Sequence, residues 1–198
     1  KENNPSFEMN YAITEGDIKL KNIPFRLQNI QMSGTLTNGN SRDFNTTKII
    51  SEKFRAETKN GYINGRFTLN NLNNYFLTSK FKSSWDMSEL NKCFEESPFI
   101  GLNGKLFSNT NYKGNVSFDD SFKKMFLSSN HKSDIKFENI NFHYKISPLK
   151  FSFEHGECHI NNNEIFVKES KLTIAETDIE FKGKIINLID YILEDSPN

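Results

Sequence analysis

Cysteine is nearly absent from this chain of 198 residues. Its two cysteines, Cys93 and Cys158, exclude a disulfide scaffold and a multi-cysteine zinc module. They read as two buried free thiols rather than as one long-loop disulfide. An excess of either charge is also missing: 25 Lys and Arg stand against 25 Asp and Glu. That balance argues against a nucleic-acid binder, which carries a basic surplus, and against a polybasic membrane anchor. No apolar run approaches 18 residues, so no segment reads as a membrane-spanning helix. Gly (10) and Pro (5) are scarce, whereas Asn is abundant, with 27 residues. The polarity behind a mean hydropathy of −0.64 is therefore largely uncharged amide. The 19 Phe and 6 Tyr supply enough apolar surface to set the chain apart from a disordered one.

Catalytic signatures are lacking as well. The sequence contains no serine-hydrolase elbow, P-loop, Rossmann glycine fingerprint, zinc-protease helix or EF-hand loop. The most suggestive cluster is His155-Gly156-Glu157-Cys158-His159. In a strand, His155 and His159 share one face and Cys158 points to the other, so no ligand set forms. The pairs Glu95-Glu96 and Asp119-Asp120 read as helix caps and solvated charges. No metal, cofactor or enzymatic activity is expected.

What the chain does contain is period-two alternation. Ile30, Met32, Gly34 and Leu36 fall on one side of a strand, with Gln31, Ser33 and Thr35 on the other. Ile63, Gly65, Phe67 and Leu69 repeat the pattern, as do Leu149, Phe151 and Phe153 against Lys150, Ser152 and Glu154. Ile165 and Val167, Leu172 and Ile174, and Ile179 and Phe181 continue it. Such alternation specifies strands with one apolar and one solvated face. The phase switches between Ile135/Phe137 and Ile140/Phe142/Tyr144, which predicts a β-bulge at Glu138-Asn139. Turn chemistry at Thr37–Asn40, Lys59–Gly61 and Asn161–Asn163 predicts hairpins.

Helical stripes are few. Asp86 or Ser88 caps a turn or two through Leu90 and Phe94. Asp119-Asp120 precedes Phe122, Met125 and Phe126, and Asn187 precedes Leu188, Tyr191 and Ile192. The expected fold is mainly β: an elongated, curved antiparallel sheet with a few short helices. We read residues 1–198 as one β-rich domain. Lys1 in place of an initiator Met suggests a part of a longer protein.

An internal repeat is visible between 30–77 and 153–193. Gly65 to Leu77 and Gly183 to Leu193 both read as glycine, strand, then Asn-Leu-x-x-Tyr-apolar-Leu, with Asn71 or Asn187 capping a helical turn. The Gly65–Tyr75 unit, Trp85–Leu90, Leu102–Leu106 and the run from Asp134 to Leu193 resemble the AsmA-like family, including the AsmA C-terminal region and TamB-related envelope proteins. The resemblance implies an inner-membrane-anchored parent, a long periplasmic β-groove and phospholipid transport in outer-membrane biogenesis. It implies non-enzymatic shielding of phospholipid or other acyl chains by inward strand residues. The candidate lipid-facing set is Phe137, Ile140, Phe142, Leu149, Phe151, Phe153, Leu172, Ile174 and Phe181. Two other functions fit the alternation: a closed β-sandwich that binds glycan or protein partners, and an assembly factor for outer-membrane proteins that offers a strand edge.

Overall fold

The computed structural model describes residues 4–19, 24–93, 96–117 and 128–187. They form ten strands: β1 (Glu8–Ile18), β2 (Leu27–Thr37), β3 (Lys48–Glu57), β4 (Tyr62–Asn70), β5 (Phe76–Asp86), β6 (Phe99–Asn115), β7 (Asn130–Tyr144), β8 (Lys150–Asn161), β9 (Glu164–Ile174) and β10 (Thr177–Ile186). All belong to one sheet whose spatial order is the chain order. Every neighbouring pair is antiparallel. The sheet does not close into a barrel. Strand packing is edge to edge with sequence neighbours, and no second sheet faces the first among the described residues.

A single layer leaves much surface in water. A compact chain of 23.0 kDa would expose roughly 9,600 Å², whereas this one exposes 13,340 Å². Among the described residues the buried apolar side chains are only Ile30, Ala56, Leu102 and Ile140. Edge-to-edge pairing, rather than a central core, therefore carries the fold.

The turns account for much of the asparagine. Among the described residues, five of the seven non-glycine residues with positive φ are Asn: Asn29, Asn71, Asn139, Asn162 and Asn187. Asn tolerates the left-handed region better than other side chains because its short amide bonds locally. The Asn162-Asn163 pair makes a two-residue hairpin between β8 and β9, and residues 58–61 close β3 onto β4. The Asn38-Gly39 signal sits instead in a ten-residue connection between β2 and β3. That loop is organised by Asp43, whose carboxylate accepts the Thr46 N–H at 3.0 Å. This bond is the main reason its carboxyl lies below the usual range.

The phase switch at Glu138-Asn139 is a bulge. Lys105 lies opposite Glu138 but Asn103 lies opposite Asn141, so β7 carries one extra residue against β6. Asn139 takes φ 52° there, and the two halves of β7 keep their apolar residues on one face.

Among the described residues helix is confined to one turn, α1 (Met87–Leu90), followed by a 3-10 turn at Asn91–Cys93. Asp86 caps α1 by accepting the Ser88 N–H at 2.9 Å. Burial pushes the Asp86 carboxyl up, but the Ser88 bonds and Lys105 outweigh it and hold the group below its ordinary range. Phe94, the Phe122/Met125/Phe126 stripe and residues 188–193 lie outside the described residues. In the first repeat unit Asn71 does act as a cap, accepting from the N–H groups of Asn73 and Asn74 at 3.2 and 3.1 Å. No helix follows it: Leu72–Asn74 form a turn and Phe76 opens β5. Neither cysteine is fully buried. Cys93 is exposed, Cys158 is half-buried, and both are free.

Candidate functional site

Cross-strand register decides which side chains share a face, because residues directly opposite point the same way. Phe142 is opposite Phe151 and Ile140 opposite Phe153. Phe151 is opposite Ile174 and Phe153 opposite Leu172. Leu172 in turn faces Ile179, and Phe181 faces Ser170. Phe137 joins them through Gly156, over which its ring lies. A Cβ built at Gly156 would sit 2.1 Å from the Phe137 Cζ. The register therefore places eight of the nine candidate residues on one continuous face across β7–β10. Leu149 departs from the strand reading. It precedes β8 in the β7–β8 connection, directly after Pro148, and is exposed.

Ring contacts bind this region together. Phe142 stacks on Phe151 at 5.2 Å between centroids, with an interplanar angle of 5°. Phe153 meets Phe137 edge-on at 5.5 Å and Phe181 at 6.4 Å. The last contact spans β8 to β10. Phe99 of β6 extends the cluster by touching Phe142 at 5.0 Å. Each such pair adds about 0.5–1.5 kcal/mol beyond area burial.

The same face continues through β1–β6, which the sequence patterning did not single out as a site. Met32 faces Phe54, Phe54 faces Gly65, and Gly65 faces Phe81. Phe54 and Phe81 meet across Gly65 at 5.6 Å. Tyr11 of β1 reaches past β2 to donate its hydroxyl to the Ile50 carbonyl of β3 at 3.1 Å. Burial pushes that phenol above its usual value, opposed by a bond to Ser51. Phe25, in the connection before β2, lies 5.3 Å from Trp85 of β5. On a flat sheet β2 and β5 would be about 14 Å apart. The sheet therefore curls toward its apolar face.

That face is not uniformly apolar. Between the rings runs a ladder of hydroxyls. Trp85 donates its indole N–H to Ser83 at 2.7 Å, and Ser83 bonds Ser108 at 2.7 Å. Thr110 bonds Ser108 at 3.4 Å and Ser133 at 2.9 Å. These groups satisfy one another and ask little of water or ligand. Ser51 and Ser170, in contrast to a Ser on a flat open sheet, are almost fully buried, which the curl and the taller neighbouring rings explain.

The histidine-cysteine cluster divides between the faces. Cys158 lies opposite Ile135 on the apolar side. His159 pairs with Asp134 at 3.0 Å, and His155 approaches Glu169 at 3.8 Å, both on the polar side. No group of three or more metal-ligating side chains occurs among the described residues. No helix among them is long and apolar enough to cross a membrane.

His131 is the one buried histidine. Its Nδ1 lies 3.1 Å from the Ser129 hydroxyl and its Nε2 3.1 Å from the Asn162 carbonyl. A carbonyl only accepts, so Nε2 carries the proton and Nδ1 accepts from Ser129. Burial lowers its pKa, outweighing the two bonds that favour the charged form. The unfolded chain therefore binds this proton more readily than the fold does. The stability that neutral His131 confers is complete above the unfolded value near 6.5 and declines as pH falls from there toward the folded value. The urea midpoint should accordingly drop between pH 7.5 and 5, and His131→Gln should flatten that part of the profile. An unchanged slope in the variant would assign the pH effect to other groups.

In comparisons with known proteins, no family model matches the chain, no curated protein matches it, and no solved structure matches it. The class that the geometry defines is an open, single-layer antiparallel meander with one curled apolar face.

Proposed function

We propose that this chain is a non-enzymatic lipid-handling module that shields phospholipid acyl chains on its apolar face. The observation that carries the proposal is the continuity of that face across ten strands, with no second layer over it among the described residues. An acyl methylene exposed to water costs about 0.8 kcal/mol, so a sixteen-carbon chain carries about 12 kcal/mol of unfavourable exposure. A curled sheet lined with Phe, Ile, Leu and Met removes much of that cost by contact alone. Headgroups would stay at the rim in water. No bond is made or broken, so the function asks for no catalytic group.

The AsmA-like resemblance extends this reading to a place and a purpose. The module would belong to a membrane-anchored parent on the periplasmic side of the bacterial inner membrane, carrying phospholipid for outer-membrane biogenesis. The curl and the meander support a groove of that kind. Two facing sheets, as in a sandwich module, are not what the described strands form.

Native mass spectrometry of the purified chain, with lipid extraction of the same sample, tests the proposal. The expected spectrum contains adducts at phospholipid masses that disappear on delipidation and return on incubation with phosphatidylglycerol or phosphatidylethanolamine. A chain that stays free of lipid under both conditions would refute it.

A further inference from the structure

The opposite face follows a simple rule in most places: cations sit beside anions on the next strand. Lys136 and Lys168 flank Glu157, Lys171 meets Asp178 at 2.9 Å, and Lys184 meets Glu164 at 2.6 Å. The rule breaks along one stretch of β4–β7, away from the Asp86–Lys105 and Lys136–Glu157 pairs. Arg66 lies directly opposite Lys80, Lys80 opposite Asn111, and Asn111 opposite Lys132. Lys113 sits two residues along β6 from Asn111, diagonal to both Lys80 and Lys132. Directly opposite positions have Cβ atoms about 5 Å apart and diagonal ones about 7–8 Å. Three lysines thus ring one asparagine, with an arginine beside the first.

None of these four cations forms an ion pair among the described residues, and Glu52 is the one carboxylate lining the cleft they share. Like charges placed opposite one another destabilise a sheet. In a chain with equal numbers of acidic and basic residues, carboxylates to relieve them are plentiful elsewhere on the same face. The cleft measures about 520 Å³, within the range of about 300–1,000 Å³ that small-molecule sites occupy. Strand alternation turns Phe67 and Tyr112 to the apolar side, so no ring is offered for base stacking, the usual platform for single-stranded nucleic acid.

We propose that the polar face of β4–β7 is a binding site for a small anion bearing several clustered phosphates, held by Arg66, Lys80, Lys113 and Lys132. The four side chains rise from paired strands, so their spacing is set before the ligand arrives, which lowers the ordering cost of binding. Asn111 at the centre supplies a neutral donor and acceptor for hydroxyl or phosphate oxygens. A phosphorylated polyol fits this set, whether free in solution or as the headgroup of a lipid. The site is separate from the apolar face, and its test does not depend on acyl-chain binding.

Isothermal titration with inositol hexakisphosphate provides the soluble arm. Flotation with phosphatidylcholine vesicles, with and without phosphatidylinositol bisphosphate, provides the lipid arm. Binding in the soluble arm alone assigns a free solute, and binding in the vesicle arm alone assigns a headgroup. Either outcome, or both, supports the site if it weakens with salt and if Lys80→Gln/Lys132→Gln lowers affinity about tenfold or more. The control Lys145→Gln/Lys150→Gln removes the same charge from the β7–β8 connection and the start of β8, and should change affinity less than about twofold. Urea midpoints of both variants check that the sheet is intact. Absence of binding in both arms, equal losses in the two double variants, or tighter binding of an RNA duplex than of hexakisphosphate would overturn the proposal.

Discussion

Gly34→Ala is expected to lower the stability of the sheet by about 3 kcal/mol or more, in the range reserved for changes that force backbone apart. A Cβ at this position would lie 1.7 Å from the Ile50 carbonyl oxygen and 2.9 Å from the Ser51 Cα. Both are backbone atoms of β3, so no side-chain rotation relieves the clash. The β2–β3 register shifts beside this glycine, between Ser33 and Gly34. Separation of the two strands would also break the reach of Tyr11 to the Ile50 carbonyl. Gly101→Ala is the comparison. Gly101 has φ 67° but nothing within 4 Å of its built Cβ, so only the left-handed strain of about 1–2 kcal/mol applies. Urea denaturation of the two variants measures the difference. Equal losses would mean that strand proximity at Gly34 adds nothing.

Phe151→Glu separates an open face from a sealed one. Phe151 stacks on Phe142 and sits opposite Ile174, yet it is only half-buried. A carboxylate buried in a closed core without a partner costs several kcal/mol and unfolds a domain of this size. On an uncovered face the carboxylate reaches water. The expected loss of stability is then the aromatic contact and part of the side-chain burial, about 1–2 kcal/mol. Affinity for a fluorescent phospholipid should fall about tenfold or more, since a charge now faces the acyl chain. The denaturant midpoint and the lipid titration are read on the same protein. Collapse of the fold, with no lipid bound by the unaltered chain, would refute the open-groove reading. Undiminished binding in a folded variant would remove Phe151 from the site.

The C-terminal half of the apolar face was legible because its inward positions are Phe, Ile and Leu against Lys, Ser and Glu. The bulge at Glu138-Asn139 was legible for the same reason: the phase of the apolar residues flips there. In β5 and β6 the inward positions include Ser79, Ser83, Ser108 and Thr110, so both faces look polar in sequence and the alternation disappears. The ladder of hydroxyl bonds that makes those residues acceptable inside exists only once the strands are in register. The ring contact at Gly156 was hidden for a related reason: Phe137 lies across it, and a glycine carries no mark of what will lie over it. The cationic cleft was invisible because Arg66, Lys80, Lys113 and Lys132 come from four strands, and each alone is an ordinary solvated charge. The expected helix after Asn71 failed because its cap ends in a turn that feeds the next strand.

Each strand is held almost wholly by the strands before and after it in the chain. Such a meander behaves as a one-dimensional array, whose stability is a sum of nearest-neighbour interfaces. Its cooperativity is short-ranged. The outer described strands, β1 and β10, each have one partner and can open without disturbing β5–β7, so protection of backbone amides against exchange should rise from both edges toward the middle. A long ligand lying across several strands would change that. By contacting strands that do not touch each other, it would couple their opening and convert a row of loosely linked hairpins into a unit that unfolds together.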